Sequence, residues 1–127
     1  MPEPYVYEYA VLRLVPVLPR EEFINVGIVL FSKNANYIRA RFKLDEKRLA
    51  AFQADLDIAE LHEHLHAFER IAHGDATAGP IAALDPASRF RWLTAVRSSA
   101  LQPSRPHPGM CKDLDATVNR LFEELVA

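Results

Sequence analysis

Three groups of side chains in the 127-residue chain have types and spacings that could do chemistry. The most conspicuous is His62-Glu63-His64-Leu65-His66, a match to H-E-x-x-H. On a helix, His62 and His66 stand four residues apart on one side, the spacing at which two imidazoles hold one zinc. Glu63 would then be the general base acting on the bound water. Three features oppose this. The residue after Glu63 is histidine rather than the apolar residue usual in zinc proteases, and a metzincin continuation would need glycine and histidine where the chain has Glu69 and Ala72. The stripe Ile58, Leu61, Leu65, Phe68 and Ala72 turns inward at helical spacing, which sets His62 and His66 toward solvent. A further ligand from Glu69 or His73 would have no familiar spacing. A solvated helix face is the favoured reading; no metal and no cofactor is expected.

The second group lies in the first apolar hairpin. Arg13 interrupts a run that otherwise reads as buried. With Val15 opposite Phe23, antiparallel pairing places Arg13 beside Asn25 and Val11 beside Gly27, all on one face. A buried guanidinium left alone costs several kcal/mol, so it needs a partner: Glu22 or Glu21, Asn25, or the anion of a ligand. Gly27 removes a side chain from that face and makes room for the arginine stem or a bound group. Two readings stand: a salt bridge at the sheet end, or a ligand or partner site built from Arg13, Glu22, Asn25 and Gly27.

The third group runs from Arg97 to His107. Arg97, Ser98, Ser99, Gln102, Ser104, Arg105 and His107 are hydrogen-bonding groups on a strand and a proline-stiffened loop. Two arginines with serine hydroxyls suit a phosphate or a carboxylate; the alternative is an ordered connection whose prolines route the chain. Ser98 and Ser99 have neither a G-x-S-x-G elbow nor a recognisable base, so no nucleophile is assigned. Cys111 reads as core rather than as a reactive thiol.

These groups need elements to hold them. Tyr5–Val15 and Phe23–Phe31 are rich in β-branched and aromatic residues and predict two strands, the first apolar on both sides and therefore central. In the second, Ile24, Val26, Ile28 and Leu30 are expected on one face. Turn residues at 32–36 lead to a third strand, Tyr37–Phe42, with Arg39 and Arg41 outward, completing a meander. Asp45 caps a short helix through Phe52, the Ile58–Ala72 stripe makes a longer one ended by Gly74, and residues 75–84 form a loop. Asp85-Pro86 opens a helix through Val96, Ser98–Gln102 is a fourth strand, and Pro103, Pro106, Pro108 and Gly109 argue against regular structure beyond it. A last helix begins near Asp113. The expected fold is α+β: a small antiparallel sheet, a three-strand meander plus a fourth strand, with helices packed on one face, forming a single domain over residues 1–127.

Composition narrows the function classes. Half the residues are apolar, a quarter are charged and the net charge is −2. No general field therefore attracts nucleic acid, and acidic neighbours dilute the basic stretch Arg39, Arg41, Lys43, Lys47 and Arg48. No apolar run approaches the roughly 18 residues of a membrane span, no signal peptide is read at Met1-Pro-Glu-Pro-Tyr5, and one cysteine permits no intrachain disulfide. A cytoplasmic protein with no membrane partner is expected.

The segments Arg13-Leu-Val-Pro16 and Glu22-Phe-Ile-Asn25-Val-Gly27-Ile-Val-Leu30 resemble the opening signature of the bacterial Domain of Unknown Function 3037 family. Trp92 to Pro103, His107-Pro-Gly109 and the closing helix look like its end. The resemblance implies no known reaction. Such proteins are associated with genes beside kinases of the persistence-toxin type, which implies a kinase-type protein partner. The leading expectation is a non-catalytic accessory or binding module. The rival is an enzyme or binder acting on a phosphorylated small molecule or nucleic acid, with Arg13, Glu22, Asn25, Arg97, Gln102 and His107 converging. A zinc hydrolase through His62, Glu63 and His66 comes third.

Overall fold

The computed structural model describes residues 3–15, 20, 22–52, 56–95 and 101–127. Strand β1 (Tyr5–Leu14) lies inside the sheet, as two apolar faces demand. On one side it pairs antiparallel with β2 (Ile24–Ser32), which pairs with β3 (Tyr37–Phe42). On its other side it pairs with β4 (Leu101–Pro103) and then with β5 (His107–Cys111). The order is β3-β2-β1-β4, with β5 also on β1. The expected meander and fourth strand are present; of the residues proposed for that strand, 98–100 lie outside the described ones, as does Val96.

β5 corrects the expectation that the prolines and Gly109 exclude regular structure. β5 is an edge strand, the place where a sheet tolerates proline's missing N–H. Gly109 opposes Tyr7, and a Cβ there would run into the Tyr7 ring, so glycine is what lets the strand close on β1. Leu12 faces Pro103 but Tyr9 faces His107, so Ala10 and Val11 stand opposite three residues, Ser104, Arg105 and Pro106. The extra residue bulges the strand. Buried Ser104 repairs the ladder there: its N–H donates to the Val11 carbonyl at 2.7 Å, and the Val11 N–H donates to its Oγ at 2.9 Å.

A second bulge corrects the hairpin register. Arg13 opposes Asn25 as expected, but Leu12 opposes Gly27 and Val11 opposes Ile28, leaving Val26 as the extra residue. The bulge resets the alternation of β2. Ile24 and Val26 pack with Leu12 and Leu14, whereas Ile28 and Leu30 pack with Tyr7 on the opposite face, so the four do not share one side.

Four helices follow: α1 (Glu46–Phe52), α2 (Ile58–Ala72), α3 (Pro86–Leu93) and α4 (Leu114–Leu125). The carboxylates of Asp45, Asp57, Asp85 and Asp113 each accept the backbone N–H three residues on, which fixes where each helix starts. Gly74, at φ +72°, ends α2 in the left-handed region. Within the expected loop, two 3-10 turns occupy Ala76–Ala78 and Pro80–Ala83. α1, α2 and α3 bury Leu49, Leu61, Leu65, Ile71, Phe90 and Leu93 against one face of the sheet. α4 departs from the one-face expectation. Its Leu114, Val118, Leu121 and Phe122 pack on Ile28, Leu30 and Tyr7 of the other face, because β1 and β2 are apolar on both sides. The fold is α+β with a small five-stranded antiparallel sheet. No helix among the described residues is long and apolar enough to cross a membrane.

Candidate functional site

Directly opposed residues in a sheet point to the same face. Arg13 on β1 opposes Asn25 on β2 and Gln102 on β4, so three polar residues from two distant segments form one row across three strands. The row lies on the α4 side, because the Asn25 amide donates to the Leu125 carbonyl at 2.9 Å, 100 residues away in sequence. That bond satisfies one of the carbonyls that the end of α4 leaves open.

Arg13 is half-buried, with its guanidinium carbon 4.4 Å above the centroid of Phe23. Phe23 itself is 46% exposed, an uncommon position for a phenylalanine, and serves as a platform for the cation. Among the described residues the buried Arg13 Nε has no hydrogen-bond partner, and neither has the Asn25 Oδ1: a donor and an acceptor orphaned on opposed residues. Asn25 also lines a cleft of about 30 Å³ with Lys43, Asp45, Arg48 and Ala127, space for one water-sized group.

The other expected site residues fall differently. Glu22 pairs with Arg20 at 2.6 Å on the surface, and among the described residues no acidic side chain pairs with Arg13. Gly27 offers no room for a ligand. A Cβ there would lie 3.1–3.3 Å from the Arg41 carbonyl, Leu12 Cδ1 and Phe42 Cβ, so glycine serves close packing of the sheet. Arg97 and Ser98 lie outside the described residues. His107 opposes Tyr9, its ring centroid 5.3 Å from that of Tyr9. Tyr9 is four residues from Arg13 along β1, so His107 shares the face with Arg13 at a backbone offset of about 13 Å.

Tyr9 and Phe23 were not singled out by sequence reasoning. The signal for Tyr9 was its parity with Arg13; for Phe23, an aromatic residue just ahead of a strand gives no hint of a cation above it. Arg41 is exposed, as expected, and also tethers a helix. Its guanidinium carbon lies 4.0 Å over the Phe122 ring and it donates to Asn119 Oδ1 at 2.7 Å, tying β3 to α4. Beside it, Tyr37 donates to Asp115 at 2.6 Å; burial first, then that carboxylate, holds the phenol protonated well above its ordinary range.

The histidine helix keeps its geometry but gathers no ligand set. The His62 and His66 rings stack with centroids 6.3 Å apart, and His62 meets the Phe42 ring edge-on at 5.5 Å. Among the described residues no group of three His, Cys, Asp or Glu side chains could hold a metal ion. His73 instead covers a strand edge: its Nε2 accepts the Ala40 N–H at 3.3 Å, and burial, then Arg39, pushes its pKa below the ordinary value.

Across the sheet from Arg13, an apolar cavity of about 290 Å³ is lined by Leu12, Leu65, Phe68, Trp92 and Leu101, with His64 at its wall. Ala95 and Leu101, which flank residues 96–100, both border it.

Over residues 9–126 the chain matches a family model described as "Protein of unknown function (DUF3037)". No curated protein and no solved structure matches it.

Proposed function

The chain belongs to the DUF3037 family, whose description names no reaction, and from that premise we propose that it is a non-catalytic binding module for a protein partner. The recognition face is the part of the sheet beside α4 that carries Phe23, Arg13, Gln102, Tyr9 and His107. The observation that supports this most is spacing. Polar and aromatic side chains are laid along about 13 Å of one sheet face instead of converging on a point. An array of that extent suits a protein surface, with a stacked arginine and a tyrosine of the kind that dominate such interfaces.

Chemistry on a phosphorylated small molecule needs convergence. Of the six residues that reading requires, Glu22 is engaged by Arg20, the Asn25 amide is held by Leu125, and His107 stands opposite Tyr9, four residues along β1 from Arg13. The family resemblance suggests a kinase-type partner, and the face described here is compatible with any protein that meets a lone arginine. The test is capture from the native host at physiological salt, with wild-type, Arg13→Gln and His107→Ala chains side by side. The proposal expects one reproducible, stoichiometric partner, identified by mass spectrometry and weakened by both substitutions. No such partner, or equal capture by all three chains, overturns it.

A further inference from the structure

We infer that the Arg13 seat takes a carboxylate, carried by an acidic segment of the protein partner; this rests on the binding-module reading above. Charge is the first argument. Among the described residues Arg13 is the single cation of its row, since Asn25, Gln102 and Phe23 are neutral; Lys43 and Arg48 line the cleft beside Asn25 together with Asp45. One positive charge balances a monoanion. A phosphate monoester near neutral pH carries about −1.5 to −2 and calls for a second cation or a nest of backbone N–H groups.

Shape is the second argument. The guanidinium carbon sits 4.4 Å from the centroid of the Phe23 ring, a contact that restricts how the group can turn. A planar carboxylate meets an arginine fork with two parallel hydrogen bonds, which a lysine ammonium cannot reproduce; the preference over phosphate rests on the charge balance above. Gln102, opposed to Arg13, stands beside the same seat. Arg13 sits on an aromatic ring, and among the described residues no acidic side chain forms an ion pair with it.

The experiment is titration of the full chain, with the backbone amide resonances of Phe23, Asn25 and Gln102 as reporters common to wild type and variants, by three probes: a capped tetraglutamate peptide, its tetraglutamine isostere, and inorganic phosphate. The inference expects saturable binding of tetraglutamate at least about tenfold tighter than the other two. Affinity should fall about fivefold in Arg13→Lys, which keeps the charge, and about tenfold or more in Arg13→Gln. A urea melt of each variant confirms that it is folded. Equal response to tetraglutamate and tetraglutamine, preference for phosphate, or an unchanged Arg13→Lys overturns it. A partner captured through His107 but indifferent to Arg13→Gln would keep the binding-module reading and overturn this one.

Discussion

Arg13 and Asn25 face each other across β1 and β2, yet they answer to different masters: the Asn25 amide holds the Leu125 carbonyl at the end of α4, while the guanidinium stacks on Phe23 and leaves its Nε unpartnered. One member of the pair is therefore tied to the end of α4, and the other carries the proposed recognition. Asn25→Ala is expected to destabilise the chain by about 1–2 kcal/mol, by leaving a carbonyl of the last helical turn unsatisfied. Urea denaturation checks the size. Hydrogen exchange should show faster loss of the Val126 and Ala127 amides, both bonded to the Phe122 carbonyl, than of the amides in mid-α4.

Ser104 is the second structural prediction. Its hydroxyl receives the Val11 N–H inside the sheet, so Ser104→Ala leaves a buried donor with no acceptor. A loss of about 1–3 kcal/mol is expected, with selectively faster exchange of the Val11 amide. An unchanged melting curve would mean that the bulge re-forms around a different bond.

Gly109→Ala tests how β5 is seated. The added methyl would strike the Tyr7 ring, a buried core residue, so β5 or the ring must move. About 1–3 kcal/mol of destabilisation is expected, and pairing with Tyr7→Leu should give a double mutant less destabilised than the sum of the two.

His73 gives the chain a pH dependence with a definite sign. In the fold its Nε2 is an acceptor, and burial and Arg39 hold its pKa below the ordinary 6.5, with Glu69 opposing and Arg89 reinforcing that shift. As pH falls the unfolded chain takes up the proton first. The His73 contribution is therefore fully present above about 6.5 and is lost as pH drops through the lower folded value. His73→Gln keeps an acceptor and removes the titration. Melting temperatures compared between about pH 7.5 and pH 5 should fall further in wild type than in this variant; parallel curves would refute the linkage.

Much of this arrangement was legible in the sequence. The apolar character of β1 on both sides placed it inside the sheet, aspartates marked the helix starts, and a simple antiparallel count put Arg13 beside Asn25. The bulge at Val26 was not legible, because it leaves each local apolar run intact and changes only which face the runs share. β5 was hidden by Pro108 and Gly109, whose usual veto on strands lapses at a sheet edge and against an aromatic ring. The second face of helix packing was missed for a related reason. An apolar stripe on α4 says that it is covered but not by which side of a sheet that is apolar on both.

The candidate site was legible as residue types rather than as geometry. Arg13, Asn25 and Gln102 were named, and they do meet in one row. Glu22 was one of the partners offered for Arg13, with Glu21, Asn25 and the anion of a ligand; Arg20 pairs with Glu22 instead, and Glu21 lies outside the described residues. Gly27 suggested an opening in the sheet, whereas the bulge turned that position toward Leu12 and Phe42.

The account turns on whether Arg13 serves recognition or merely holds the sheet together, and paired measurements on Arg13→Gln separate the two. Urea stability and affinity for the identified partner would be determined on the same preparation. The account predicts stability within about 1 kcal/mol of wild type and affinity reduced at least about tenfold. A variant that loses several kcal/mol of stability but binds its partner undiminished would contradict it.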